Sequence, residues 1–301
     1  MSQDTKCAPN IKYTDGSCFT YDVLQDMTKN YNKKITDPAD YIDYKLPKAD
    51  LVKSIKYKLQ NECADQICWL RELIVDKISK NILTNTFRPL GPKGKYDWLS
   101  TSDINNVMNQ YVKLYNDFSY LGTVPYDFES LKLLEFHNKN IFDNYYRKGK
   151  TKLGMIINLD THDMNGSHWV ALYTDLKNNQ VYFFDSGGNP PGKRICKFIN
   201  RIVTYIYNRT FNNEQLNINK IIDIIQNNNN PSYNHDIKKL LKIDIKYNNI
   251  QHQFNNSECG VYSINFILRL LEKESQQDII NNVVLDHEMN KNRKIYFRNA
   301  N

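Results

Sequence analysis

The sequence predicts an α+β protein in which a helical arm precedes a larger unit of mixed strands and helices. Three observations carry this reading. Residues 48–80 repeat apolar side chains at helical spacing, with Leu51, Ile55, Leu59, Ile67, Leu70 and Ile74 on that period. Two short aromatic and β-branched runs, Trp169-Val170-Ala171-Leu172-Tyr173 and Gln180-Val181-Tyr182-Phe183-Phe184, read as neighbouring strands closed by the turn residues Lys177, Asn178 and Asn179. Further on, Val261, Ile264, Ile267, Leu268 and Leu271 make a strongly apolar helix.

In chain order, residues 1–84 form the helical arm, and Arg88-Pro89-Leu90-Gly91-Pro92-Lys93-Gly94-Lys95 is a Pro/Gly-rich connector that opens a second segment, 85–301. Past the strand pair, residues 192–207 read as a helix. The Asn-rich stretch 226–230 reads as a loop whose bias is compositional, and 240–247 reads as a strand leading to Gln253. Residues 286–298 read as a closing helix. No internal repeat is evident.

With 301 residues and 41% hydrophobic content, the chain can bury one large core, or a core and a small appendage. No apolar run approaches the roughly 20 residues that span a bilayer. Met1-Ser2-Gln3-Asp4-Thr5-Lys6 lacks the apolar region of a signal peptide, which predicts a protein that stays in a reducing compartment. Basic residues outnumber acidic ones by 40 to 33, and Arg147, Lys148, Lys150 and Lys152, echoed by Lys238, Lys239 and Lys242, form basic clusters. Such a surface attracts phosphate backbones, but a modest charge without a recognition motif is more often a solvated face.

The chemistry concentrates around Asn256-Ser257-Glu258-Cys259-Gly260-Val261-Tyr262. With Ser257 as N-cap, Cys259 falls in the first turn of the apolar helix, where unpaired amide N–H groups favour an anionic sulfur. A thiol nucleophile needs a base, and the base needs an orienting acid. His168 stands at the entrance of the first strand and Asp185 at the end of the second. A turn centred between Lys177 and Asn178 sets Asp185 opposite Val170, a diagonal of roughly 7–8 Å from His168. Gln253, six residues before Cys259, offers an amide to a developing oxyanion, with the Cys259 backbone N–H as second donor. Each residue alone has a plainer reading: a core thiol, a strand-end histidine, a turn aspartate. Their order and the glutamine offset jointly favour the enzyme.

That order, His168, Asp185, Gln253, Cys259, together with the His168-Trp169 dipeptide and the Glu-Cys-Gly-Val-Tyr element, resembles the cysteine proteases of the adenovirus-protease and SUMO-protease clan. Papain-like enzymes run in the opposite order, Cys before His. Within the clan, the similarity extends to the polyprotein-processing branch of African swine fever virus, through the Gly-x-His-Trp-Val-Ala strand, the His-Gln-x-x-x-x-Glu-Cys-Gly run and a non-catalytic N-terminal arm. Where that branch carries Asn as its third catalytic member, this chain has Asp185, the residue usual in the wider clan.

The resemblance implies a central mixed sheet packed on the nucleophile helix and an endopeptidase with no cofactor. Cys259 would be its nucleophile, His168 its base, Asp185 the orienting acid and Gln253 the oxyanion donor. It further implies that Trp98, in a Trp-Leu element, and Trp169 cover a tunnel that admits only Gly-Gly, since a backbone passes between two indoles only without side chains. Both could instead be core aromatics. The implied substrates are structural precursor proteins of a large DNA virus, cut after Gly-Gly during maturation in the host cytoplasm, at the virus factory, and in the virion. A second enzymatic reading removes SUMO or ubiquitin-like modifiers, and a third, of another class, is an inactive module that binds Gly-Gly tails. Stimulation by DNA follows from the adenovirus resemblance.

Six cysteines, Cys7, Cys18, Cys63, Cys68, Cys196 and Cys259, can pair arithmetically. Because a reactive thiol must stay reduced, no structural disulfide is expected. Cys63 and Cys68 are spaced more widely than a zinc knuckle and would diverge on a helix, so buried thiols are favoured over a zinc site.

Overall fold

A computed structural model of the chain describes residues 3–74, 76–211 and 242–300. The chain divides into two compact units, Met1–Gly91 with Lys294–Asn301, and Pro92–Arg293. The sequence predicts this division after residue 84, with all of 85–301 in the second segment. The connector through Gly91 belongs instead with the first unit, and so do the last eight residues, Lys294–Asn301. They are tied there by Arg298 N–H donating to the Pro89 carbonyl at 3.0 Å, Gly91 N–H to Asn299 Oδ1 at 2.7 Å and Lys6 Nζ to the Ala300 carbonyl at 2.7 Å.

The first unit packs helices α1 (Tyr21–Lys34), α2 (Lys48–Lys58), α3 (Gln66–Leu73) and α4 (Asp76–Thr86). Its core gathers Phe19, Leu24, Met27, Leu51, Ile55 and Trp69, with the rings of Phe19 and Phe87 edge-to-face at 5.1 Å. Two N-caps fix helix starts: Thr20 accepts from Val23 N–H on α1, and Asp65 accepts from Cys68 N–H at 2.8 Å on α3. Here the structure overturns the expectation of no disulfides. Cys7 pairs with Cys18 and Cys63 with Cys68, at Cα separations of 5.3 and 5.4 Å. Cys63 and Cys68, expected to diverge on a helix, can meet because Cys63 lies before α3, outside the helix, while Cys68 sits in its first turn. The need for a reduced thiol concerns Cys259, which is in neither pair.

The second unit is built on a five-stranded mixed sheet in sequence order, β1 (Phe118–Val124), β2 (Lys152–Asn158), β3 (Trp169–Asp175), β4 (Gln180–Phe184) and β5 (Asp244–Tyr247). The outer pairs β1–β2 and β4–β5 are parallel and the inner pairs antiparallel. β3 is buried along its full length, as expected of a central strand covered on both faces. On one face lie α6 (Ile141–Arg147) and α7 (Lys193–Phe211), whose Ile195, Phe198, Ile199 and Ile202 meet Val170, Leu172, Val181 and Phe183. On the other lies α8 (Cys259–Leu271), with Phe266 stacked on Phe184 at 4.8 Å and Ser263 Oγ donating to the Trp169 carbonyl at 3.1 Å. Gly154 lets α8 approach β2, since a Cβ there would stand 3.2 Å from Ile267 and 2.9 Å from the Phe118 ring.

Ahead of β1, α5 (Thr101–Leu114) starts at a capping box made by Ser100 and Asp103. The expected closing helix over 286–298 is broken into Asp286–Met289, a 3-10 turn Asn290–Asn292 and Arg293–Tyr296. The Asn-rich stretch 226–230 and Lys238 and Lys239 lie outside the described residues. In the other basic cluster, Arg147 pairs with Asp143 at 2.7 Å, Lys152 with Asp117 at 2.9 Å, and Lys150 donates to the Asn116 carbonyl at 2.8 Å. No described helix is long and apolar enough to cross a membrane.

Candidate active site

Cys259 is the first residue of α8 and is buried, at 2% exposure. As a first-turn residue it has no intrahelical acceptor for its N–H. The capping position falls on Glu258 rather than on the expected Ser257. Glu258 is a buried carboxylate and needs donors more than the helix needs a cap. It takes Ser257 N–H at 3.0 Å, Ser257 Oγ at 2.8 Å and Asn290 Nδ2 at 2.7 Å. Arg293, also buried, donates to the Ser257 carbonyl at 3.0 Å. Burial lowers the pKa of its guanidinium, while negative charge at Glu258 and Cys259 works to hold the proton.

β3 begins at Trp169, which leaves His168 at the strand entrance, its carbonyl accepting from Leu159 N–H at 2.9 Å. The β3–β4 register pairs Ala171 with Phe184, so the next position outward sets Val170 opposite Asp185, as the hairpin turn predicted. His168 Nε2 lies 2.6 Å from Asp185 Oδ1, and Cys259 is near enough to the same imidazole to help raise its pKa. With Nε2 on the carboxylate, the Nδ1 edge is left for sulfur. Burial disfavours the imidazolium, but the hydrogen bonds and charges of Asp185 and Cys259 outweigh it and push His168 up to about 9. Burial likewise works against the Asp185 carboxylate, yet His168, Gly187 N–H at 2.8 Å and Asn189 Nδ2 at 3.0 Å hold it below its ordinary value.

Gln253 is buried, and its Oε1 accepts from Ser186 Oγ at 2.6 Å. The Ser186 carbonyl accepts from both His252 N–H, at 2.8 Å, and Gln253 N–H, at 2.9 Å. Gln253 Nε2 donates one hydrogen to the Asn255 carbonyl at 2.7 Å, and its second hydrogen is the one an oxyanion would take.

Trp169 is 7% exposed and its Nε1 donates to the Leu99 carbonyl at 2.9 Å. Trp98, by contrast, is 47% exposed. Both line one cleft of about 790 Å³ that also takes in Leu133, His162, Met164 and Gly166. A Cβ at Gly260 would lie 3.1 Å from that of Leu99, so the Trp-Leu element abuts the first turn of α8 as well as holding the Trp169 indole.

The structure thus brings His168, Asp185 and Cys259 into contact, places Gln253 one hydrogen bond from the residue after Asp185, and puts Trp98 and Trp169 on a shared cleft. Sequence reasoning missed the residues that hold these in place. Asn248 is fully buried, and its side chain both accepts from Asp185 N–H at 2.8 Å and donates to the Asp185 carbonyl at 2.6 Å. Ser186 was legible only as the neighbour of a singled-out aspartate, and Asn248 only as the residue following the strand read over 240–247. Among the described residues no group of three or more His, Cys, Asp or Glu side chains is placed to hold a metal ion.

Comparison with known proteins bears on the same region. The model of the Ulp1 protease family, C-terminal catalytic domain, matches residues 147–300. A putative thiol protease of Acanthamoeba polyphaga mimivirus is 32% identical over 302 residues, covering 95% of this chain and 90% of its own. The SUMO-1 cysteine protease of African swine fever virus is 24% identical, over 99% of this chain and 97% of its own. In fold, the chain is similar to the crystal structure of an African swine fever virus protease, with a TM-score of 0.58 and 21% identity over 99% of this chain and 97% of that one.

Proposed function

We propose a viral cysteine endopeptidase that cuts structural precursor proteins after Gly-Gly during particle maturation: the chain belongs to the Ulp1 protease family, and its relatives named above are thiol proteases of large DNA viruses. The observation that supports the reading is His168 bonded to Asp185 with Cys259 acting on the same ring, beside a cleft bordered by two tryptophans.

In this reading His168 takes the Cys259 proton, and the sulfur attacks the scissile carbonyl carbon to form a tetrahedral oxyanion. The oxyanion is met by the Cys259 N–H and the second Gln253 hydrogen, and Asp185 holds the imidazolium. As the C–N bond breaks, His168 returns the proton to the leaving amine and a thioester remains. Water, deprotonated by His168, attacks the thioester and releases the acid and the thiol. Trp98 and Trp169 would flank a backbone free of side chains, which selects glycine beside the scissile bond.

A second reading removes SUMO-like modifiers, supported by the name of the African swine fever virus relative. The test incubates wild-type and Cys259→Ala protein with a Gly-Gly-X precursor peptide and a SUMO fusion in parallel, with cleavage read by mass. Precursor processing expects the peptide to be cut by wild type and at least about a thousandfold more slowly by the variant. Preference for the fusion would replace this reading with deconjugation, and equal cleavage by Cys259→Ala would remove the nucleophile. Duplex DNA added at low salt tests stimulation in the same assay.

A further inference from the structure

A second aspartate–histidine pair lies on the cleft wall. His162, in the β2–β3 loop, is gripped twice by Asp127: its main-chain N–H donates to Oδ1 at 3.0 Å, and ring Nδ1 donates to Oδ2 at 2.6 Å. Asp127 is buried, while the His162 side chain is 57% exposed and lines the cleft. The double grip fixes both the loop and the ring. It commits Nδ1 to the carboxylate and leaves Nε2 outside the grip.

The loop itself is braced. Asn158 Oδ1 accepts from Asp160 N–H at 2.9 Å and Ser167 N–H at 3.2 Å, and Asp160 Oδ1 accepts from Ser167 Oγ at 2.8 Å. The segment that ends at His168 therefore also presents His162 rigidly, as a site that reads substrate requires. The rest of the wall is largely apolar, including Leu131, Leu133, Leu134 and Met164, with Lys132 and Asp160 as its other ionisable side chains. The side-chain hydrogen bond and the charge of Asp127, with the charge of Asp163, raise the His162 pKa, and the protonated ring offers Nε2–H as a donor while Nδ1–H stays on Asp127. In that protonated form, a fixed donor in a mostly apolar wall discriminates between side chains that accept a charge-assisted hydrogen bond and those that do not.

We propose that His162 is a specificity-determining residue that binds the carboxylate of a Glu or Asp side chain on the N-terminal side of the scissile bond, with Asp127 as its positioning residue. This rests on the endopeptidase reading, since the substrate chain must run from the tryptophan pair into the cleft.

The test is a Gly-Gly peptide series in which Glu or Gln occupies, in turn, each of three positions upstream of the glycines. Wild type is expected to favour Glu over Gln by about tenfold in kcat/KM at one position, expressed mainly in KM. His162→Ala is expected to bring that ratio to about one, His162→Arg to retain a preference, and Asp127→Asn to reduce it. A wild-type ratio of one at every position, or a ratio that survives His162→Ala, overturns the proposal. The same peptides bound to Cys259→Ala protein, with affinity read by fluorescence anisotropy, give the Glu-to-Gln ratio without turnover. If wild type cuts none of the peptides, the Gly-Gly reading fails, and the binding ratio still decides for or against His162.

Discussion

The hydroxyl of Ser186 donates to Gln253 Oε1 across 2.6 Å, one residue along the chain from the carboxylate that holds His168. The dipeptide Asp185-Ser186 therefore sets the orientation of both the base and the oxyanion donor. By fixing Oε1, Ser186 also fixes which way the amide presents its hydrogens.

Ser186→Ala is thus expected to lower kcat about tenfold with little change in KM, while Gln253→Ala costs about two to three powers of ten. The double variant is expected to match Gln253→Ala alone, because the serine acts only through the amide. Kinetics on the three proteins decide it, and additive losses would give Ser186 a separate role.

Asp185→Asn is expected to lower kcat by about two to four powers of ten, since the amide can hold the wrong imidazole tautomer. The pair also sets a pH dependence of stability. His168 is raised from an ordinary 6.5 to about 9 in the folded protein, so its contribution is full below about 6.5 and is lost as pH rises through about 9. Asp185 is held below its ordinary value, so its contribution is present above the usual carboxylate range and is lost on acidification. The melting-temperature gap between wild type and Asp185→Asn should therefore be widest at about pH 5 to 6 and narrow by about pH 9.5. A gap that does not vary with pH would mean that the pair carries no charge.

The parts of this site that were readable from sequence are those fixed by strand and helix periodicity. The length of the turn at Lys177, Asn178 and Asn179 sets the register that brings Asp185 to the His168 side, and Asn179 adopts the left-handed conformation, φ 58°, that such a turn needs. The apolar period from Val261 to Leu271 placed Cys259 at a helix start. By contrast, β1, β2 and α5 were not recognised. Neighbouring strands were missed because Phe118-Ser119-Tyr120-Leu121-Gly122 and Lys152-Leu153-Gly154 carry small and polar residues where the sheet pairs or α8 approaches. The supports Asn248 and Ser186 were invisible for another reason: their contacts to Asp185 and Gln253 span 63 and 67 residues, and local pattern carries no information about such pairs.

Trp98 and Trp169 invite separate tests because their environments differ. Trp169 is anchored through Nε1 to Leu99, so Trp169→Phe keeps an aromatic wall but loses the anchor, whereas Trp169→Ala loses both. For a Gly-Gly-X peptide, KM is expected to rise modestly in Trp169→Phe and about tenfold or more in Trp169→Ala. Trp98→Ala, at an exposed ring, should raise KM without lowering the melting temperature. Unchanged turnover by Trp169→Ala would remove its role in binding.

The two disulfides yield a direct chemical count. With Cys7–Cys18 and Cys63–Cys68 closed, denatured but unreduced protein should titrate only the thiols of Cys196 and Cys259, and the reduced protein all six. Six thiols without reductant would restore the expectation drawn from sequence. Closing loops of 11 and 5 residues removes conformational freedom from the unfolded chain worth about 2–3 kcal/mol each. Both loops lie within the helical unit, so Cys63→Ser and Cys7→Ser should lower the melting transition that reports on residues 3–74. Peptide cleavage rates separate two roles for that unit. If the reduced protein keeps the rate of the oxidised one while that transition falls, the disulfides serve the arm alone; if the rate falls with it, an intact arm is required for cleavage.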